Sequence, residues 1–250
     1  MYDFNQKAAE LAVKYSTAVQ PGEQVVISGS IIAEDLIKAV YREVIKAGGN
    51  PIPLGGIPGL GPIKYREGSD DQIKFVSPIN KVLLETTDVM INTFADTNRQ
   101  SMNLIDPEKL KMAQTTPEMQ ELHKLRMERE AKGEFRWVII PFPCDAFAQD
   151  AKMDTEAYTK FVYEALHLQE DDPAAHWKSI REKQEKIVKY LETVENIHVL
   201  GEDTDLTLSV KDRPWRNCCG QRNLPDGEVF TSPLEDSING HIRFTYPGIY

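Results

Sequence analysis

The chain is poor in the features that several large protein classes require. It has only three cysteines in 250 residues: Cys144, Cys218 and Cys219. Two are adjacent and the third is distant, so neither a disulfide framework nor a cysteine-type zinc finger is expected. Long apolar runs are also lacking. The longest, Trp137–Pro143, carries two prolines and falls far short of the roughly 20 residues of a membrane span. The N-terminal "MYDFNQKAAELAVKYS" is polar and amphipathic rather than a secretory signal, which points to a cytoplasmic protein. Positive charge is scarce, with 29 Lys and Arg against 39 Asp and Glu, a net charge of -10. No basic stripe is available to displace counterions, so neither nucleic acid nor an anionic membrane surface is an expected partner.

Two familiar motifs are missing as well. Gly55–Gly61 is spaced G-x-x-G-x-G and interrupted by proline, with no good helix expected directly after it. It reads as a surface loop and not as a phosphate cradle. The five histidines, His123, His167, His176, His198 and His241, show no H-E-x-x-H or other paired spacing.

What is present is a βαβ rhythm. Apolar residues at helical spacing run from Asn5 to Val19, a β-branched strand follows at Gln24–Ser28, and a helix spans Ala33–Ala47. Gly48-Gly49 supplies its stop, and Asn50–Leu54 reads as the next strand. Asp71–Leu84 reads as helical with a break at Pro78, and Asp88–Thr93 and Phe135–Ile140 as further strands. Asp106-Pro107, Thr116-Pro117 and Asp172-Pro173 place a capping residue before proline, a helix start. Asp154 opens another helix, and the last of these proline starts opens the longest, running to about Glu195. Alternating strands and helices imply a parallel sheet. From Ile197 onward the pattern becomes β-rich, and a domain change is placed near Asn196–Asp203. The expected fold class is α/β: a Rossmann-like parallel-sheet domain at 1–200, then the first β-rich part of a second domain at 201–250.

Several residues are candidates for chemistry. Ser28 and Ser30 stand at the carboxyl end of the first strand, where open α/β sheets bind ligands, but capping the next helix is the favoured reading. Gln184 interrupts the apolar stripe Trp177, Ile180, Ile187, Val188, Leu191, and is expected to be a hydrogen-bonded structural residue. The segment Asn223–Ser237 holds four acidic residues, with a turn at Asp226-Gly227 that ends by projecting Glu228. Such a turn suits a hard metal ligand. A solvated loop is the competing reading. His241 lies near this segment with its face undecided.

The run "NLPDGEVFTSPLEDSINGHIRFTYP" at 223–247 resembles the signature of the M29 family of metallo-aminopeptidases. "GEDTDLTLSVKDRPW" before it, "HWKSIREKQEKI" and the N-terminal "AAELAVKYSTAVQPGEQVVISGS" fit the same family. The resemblance implies an N-terminal α/β domain and a C-terminal domain carrying two divalent ions, zinc or cobalt. It also implies hydrolysis of the N-terminal residue of peptides, homodimers and a cytoplasmic location. The first metal carboxylate of the family matches Glu228, with Glu235 a second choice and Asp236 in the same motif. The remaining ligands and the catalytic base are expected downstream of Tyr250. The chain is therefore expected to be an N-terminal portion, inactive alone and binding no metal by itself. A strand at Ile242–Tyr246 is expected to lack a partner. Cys218-Cys219 and His241 depart from the family pattern. The alternatives are a dimerisation or substrate-gating module, and a mononuclear-iron aromatic-ring dioxygenase on the same scaffold.

Overall fold

The computed structural model describes residues 3–245, which form two compact units. The first comprises residues 3–174 with Gly220–Pro225, and the second Ala175–Cys219 with residues 226–245.

In the first unit, α1 (Phe4–Leu11) runs through a wide turn at Ala12–Ser16 into the loop before β1 (Gln24–Ser30). Then follow α2 (Glu34–Lys46), β2 (Asn50–Gly56), α3 (Leu60–Glu67), α4 (Asp70–Lys74), α5 (Pro78–Thr86) and β3 (Val89–Phe94). The unit continues with α6 (Pro107–Gln114), α7 (Pro117–Ala131), β4 (Arg136–Pro141), α8 (Asp145–Asp150) and α9 (Thr155–Ala165). The four strands form one parallel sheet in the order β2-β1-β3-β4. Parallel strands are covered on both faces, which demands continuous apolar runs. Val25, Val26 and Ile27 of β1 meet that demand and are fully buried. Leu36, Val40 and Val44 of α2 and Ile91, Val138 and Ile140 of the neighbouring strands are fully buried too.

Gly29, in the left-handed half of conformational space at φ +143°, permits the close β1–β3 approach: a Cβ there would lie 2.1 Å from Thr93 Oγ1. Helix starts follow the capping signals. Asp106 accepts from Glu108 N at 2.9 Å, Thr116 from Met119 N at 3.2 Å, and Asp154 from Ala157 N at 2.9 Å.

Several expectations need correction. A helix, α3, does begin inside the Gly55–Gly61 stretch. Gly55 and Gly56 end β2, Gly59 turns the chain at φ +85°, and Pro62 sits in the first helical turn, where its missing N–H is not needed. Ser30 occupies an N-cap position without making a cap bond, and Ser28 Oγ accepts from Asn92 instead, at 3.2 Å. The longest helix stops at Leu191, short of Glu195.

The second unit contains most of α10 (Pro173–Leu191), then β5 (Asn196–Gly201), β6 (Thr204–Ser209), β7 (Arg216–Cys218), β8 (Glu228–Phe230) and β9 (Asn239–His241). β5, β6 and β9 make a three-stranded antiparallel sheet, and β7 and β8 a two-stranded one. α10 buries Trp177, Gln184 and Val188, whereas Ile187 of the expected stripe is half exposed. The last strand lies earlier than expected. It is Asn239–His241, paired with β6, and Ile242–Thr245 is not strand; Tyr246 lies outside the described residues. Gly240 makes this pairing possible, since at φ +114° a Cβ would stand 2.0 Å from Asp205 O.

Candidate metal centre

The site is built on the β7–β8 pair. In its antiparallel register Cys218 is directly opposite Glu228, Asn217 opposite Val229, and Arg216 opposite Phe230. Directly opposed residues send their side chains to the same face of the pair. Asp226 precedes Glu228 by two positions, and Gly227 bends the chain between them at φ +118°. The Cys218 thiol and the carboxylates of Asp226 and Glu228 offer ligand atoms that all lie within 4.8 Å of one another. Cys218 and Asp226 are half-buried and Glu228 is exposed. The Glu228 carboxylate has no hydrogen-bond or ion-pair partner among the described residues.

The pair is held from α10. Gln184, only 7% exposed, donates from Nε2 to Glu228 O at 2.7 Å and to Cys218 O at 3.2 Å. Its Oε1 is buried without a partner among the described residues. Asn217 Nδ2 adds bonds to Arg181 O at 3.0 Å and Glu185 Oε2 at 3.2 Å, and Thr231 Oγ1 donates to Pro214 O at 2.9 Å. Gln184 is thus the bonded residue its place in the stripe suggested, and its bonds go to the backbone of the two residues that face each other.

The other candidates lie apart from this group. Glu235 meets Arg213 Nη2 at 2.5 Å, and its own backbone N–H together with the Arg213 charge holds its carboxyl below the ordinary range. Asp236 is exposed and is not a member of the Cys218, Asp226, Glu228 group. His241 is exposed on β9 opposite Asp205, and is likewise no member of it. Cys219 is 1% exposed and packs in the core, and none of the cysteines is in a disulfide.

The first unit has a separate hollow of about 340 Å³ at the carboxyl ends of β3 and β4, lined by Phe94, Arg99, Pro141, Phe147, Asp150 and Tyr158. Arg99 stacks over Phe147 at 5.2 Å and reaches Asp150 at 3.6 Å. Burial raises the Tyr158 phenol above its ordinary value.

As a donor set, one thiol and two carboxylates fit a borderline-soft divalent ion such as zinc and suit magnesium or calcium poorly. Tetrahedral coordination needs donors roughly 3.5 Å apart, within reach of side-chain rotation from the observed spacing.

Residues 4–250 match the sequence model described as "Thermophilic metalloprotease (M29)". The chain belongs to the M29 family. Among similar proteins, Aminopeptidase 2 of Geobacillus stearothermophilus is 24% identical over 96% of this chain and 63% of its own length. Aminopeptidase T of Thermus thermophilus is 22% identical over 97% of this chain and 64% of its own length. The solved structure of wild-type AmpT from Thermus thermophilus superposes with a TM-score of 0.75 at 20% identity, over 95% of this chain and 63% of that one. This M29 chain therefore has the AmpT fold, including its mixed α/β character, and spans a little under two thirds of the relatives it matches. Among the described residues, no helix is long and apolar enough to cross a membrane.

Proposed function

We propose that this chain is the N-terminal portion of a metal-dependent aminopeptidase, and that residues 201–250 begin its catalytic domain. The observation that supports this most is Glu228 at the start of β8, exposed and with no side-chain partner among the described residues, within an M29 match that runs through the motif. In this reading Glu228 is the first carboxylate of a centre that holds two divalent ions, zinc or cobalt, and the centre is completed by ligands outside these 250 residues. The ions, when bound, supply the positive charge that polarises a scissile carbonyl and acidifies a water. The part played by this chain is positioning. Gln184 fixes the backbone of Glu228, and Val229 points inward opposite Asn217, so that the carboxylate faces outward without fraying.

The substrate is the N-terminal residue of a peptide, the enzyme is a cytoplasmic homodimer, and the 250 residues alone are inactive. The test compares leucine p-nitroanilide hydrolysis and metal content for this chain and for the full coding sequence of its gene. Activity confined to a longer product, and abolished there by Glu228→Gln, is the expected result. Robust turnover by the 250 residues would refute it.

A further inference from the structure

Resting on the M29 reading of Glu228, we infer that Cys218, Asp226 and Glu228 together hold one divalent ion of the zinc class within this chain. Two observations converge on it. First, the register of β7 and β8 sets the Cys218 thiol directly across from the Glu228 carboxylate, which has no partner among the described residues, and Gly227 folds Asp226 to within 4.8 Å of both. Two carboxylates this close repel each other, and a bound cation removes that cost. Second, the same two opposed residues are the ones whose carbonyls Gln184 grips from the core, so their spacing is fixed by a buried group and does not depend on the loop.

The chemistry of the donors selects the metal. A thiolate excludes magnesium and calcium, which take oxygen, and favours zinc, cobalt or cadmium. Binding replaces the thiol S–H bond with a sulfur–metal bond, and the proton leaves to solvent. The inference revises the sequence-based expectation that these 250 residues bind no metal. It also assigns a role to a cysteine that departs from the family pattern. Cys219, one residue on and buried in the core, is the internal control.

The test is titration of the 250-residue chain with cadmium or cobalt alone, reading sulfur-to-metal charge transfer by ultraviolet absorption and affinity by calorimetry. The expected result is a charge-transfer band that saturates at equimolar metal, is retained in Cys219→Ser, is lost in Cys218→Ser, and is accompanied by at least a roughly tenfold loss of affinity in Cys218→Ser, Asp226→Asn and Glu228→Gln. Cys218→Asp restores oxygen-type binding without the band, which separates loss of a ligand from loss of the fold. Magnesium does not compete. If the chain binds metal through Glu228 with no sulfur band and no effect of Cys218→Ser, the inference is overturned while the reading of Glu228 stands. A band that follows Cys219, or no binding of either metal, overturns it as well.

Discussion

Gln184 donates from one nitrogen to the backbone carbonyls of Glu228 and Cys218, two residues that face each other across a two-stranded ladder. A glutamine in an apolar helix stripe thereby fixes the strand that presents the motif carboxylate. Gln184→Leu removes both bonds and leaves two carbonyls without that donor. The expected cost is about 1–3 kcal/mol of stability, with a loss of metal affinity out of proportion to it because β7 and β8 lose their common anchor. Denaturant titration and calorimetry on the same variant measure the two effects.

Glu228 and Glu235 belong to one sequence motif but have different surroundings. Glu235 is bound to Arg213, whereas Glu228 has no such partner among the described residues. In any form of the protein with measurable peptidase activity, Glu228→Gln is expected to lower kcat/KM more than ~100-fold, beyond the effect typical of groups that merely support a ligand. Glu235→Gln is expected to leave activity within severalfold. Equal losses in both would show that the carboxylates share the metal.

Glu43 is a charge in the core of the first unit, and its side chain is completely buried. Burial alone would raise its carboxyl. Bonds from Lys46 at 2.6 Å and Gln6 at 2.7 Å, with the nearby Lys14, outweigh burial and hold it below the ordinary range. A carboxyl depressed on folding adds stability that is fully present above its unfolded pKa and is lost as pH falls through the folded one. Glu43→Gln should therefore be less stable than the parent at neutral pH, by about 1–3 kcal/mol, and the gap should narrow as the pH drops below about 4. Denaturant midpoints across pH 3–7 check this.

Gly29 and Gly240 admit no side chain. A methyl on Gly29 would sit 2.2 Å from Thr93 O, and one on Gly240 would sit 3.0 Å from Asp205 C as well as striking its oxygen. Gly29→Ala is expected to cost about 3 kcal/mol or more, since strain and overpacking add. Gly240→Ala is expected to release β9 from β6 while the first unit stays folded. Hydrogen exchange distinguishes the local effect from the global one.

Much of the first unit could be read from the chain because its signals are local. Asp106, Thr116 and Asp154 cap the helices that their positions announced, and Val25–Ile27 is apolar in the way a doubly covered strand must be. The misses share a physical cause. α3 is exposed, with Leu60 and Ile63 about half accessible, so it carries no core stripe to betray it. α8 has six residues, too few to show a period. Ser30 looked like a cap because its type and position were right, but only the geometry shows that no bond forms. At the candidate site, Glu228 was legible from its turn and its motif. Cys218 and Asp226 were not, because the pairing of Cys218 with Glu228 is a matter of register across the segment that joins two three-residue strands. Sequence spacing does not encode that register.

The doubled cysteine makes the same register observable. Successive residues of a strand look to opposite faces, so a slip of one position would carry Cys219 to the face of Glu228 and Cys218 away from it. The two thiols act as a two-position indicator placed beside the motif carboxylate. If Cys218 binds cobalt in the parent chain, a transfer of the band to Cys219 in a variant of the joining segment would report a shift of β7 against β8. Insertions or deletions in the segment from Gly220 to Gly227 could then be scored for strand alignment in solution from the absorption spectrum alone, in a hairpin too short for secondary-structure methods to follow.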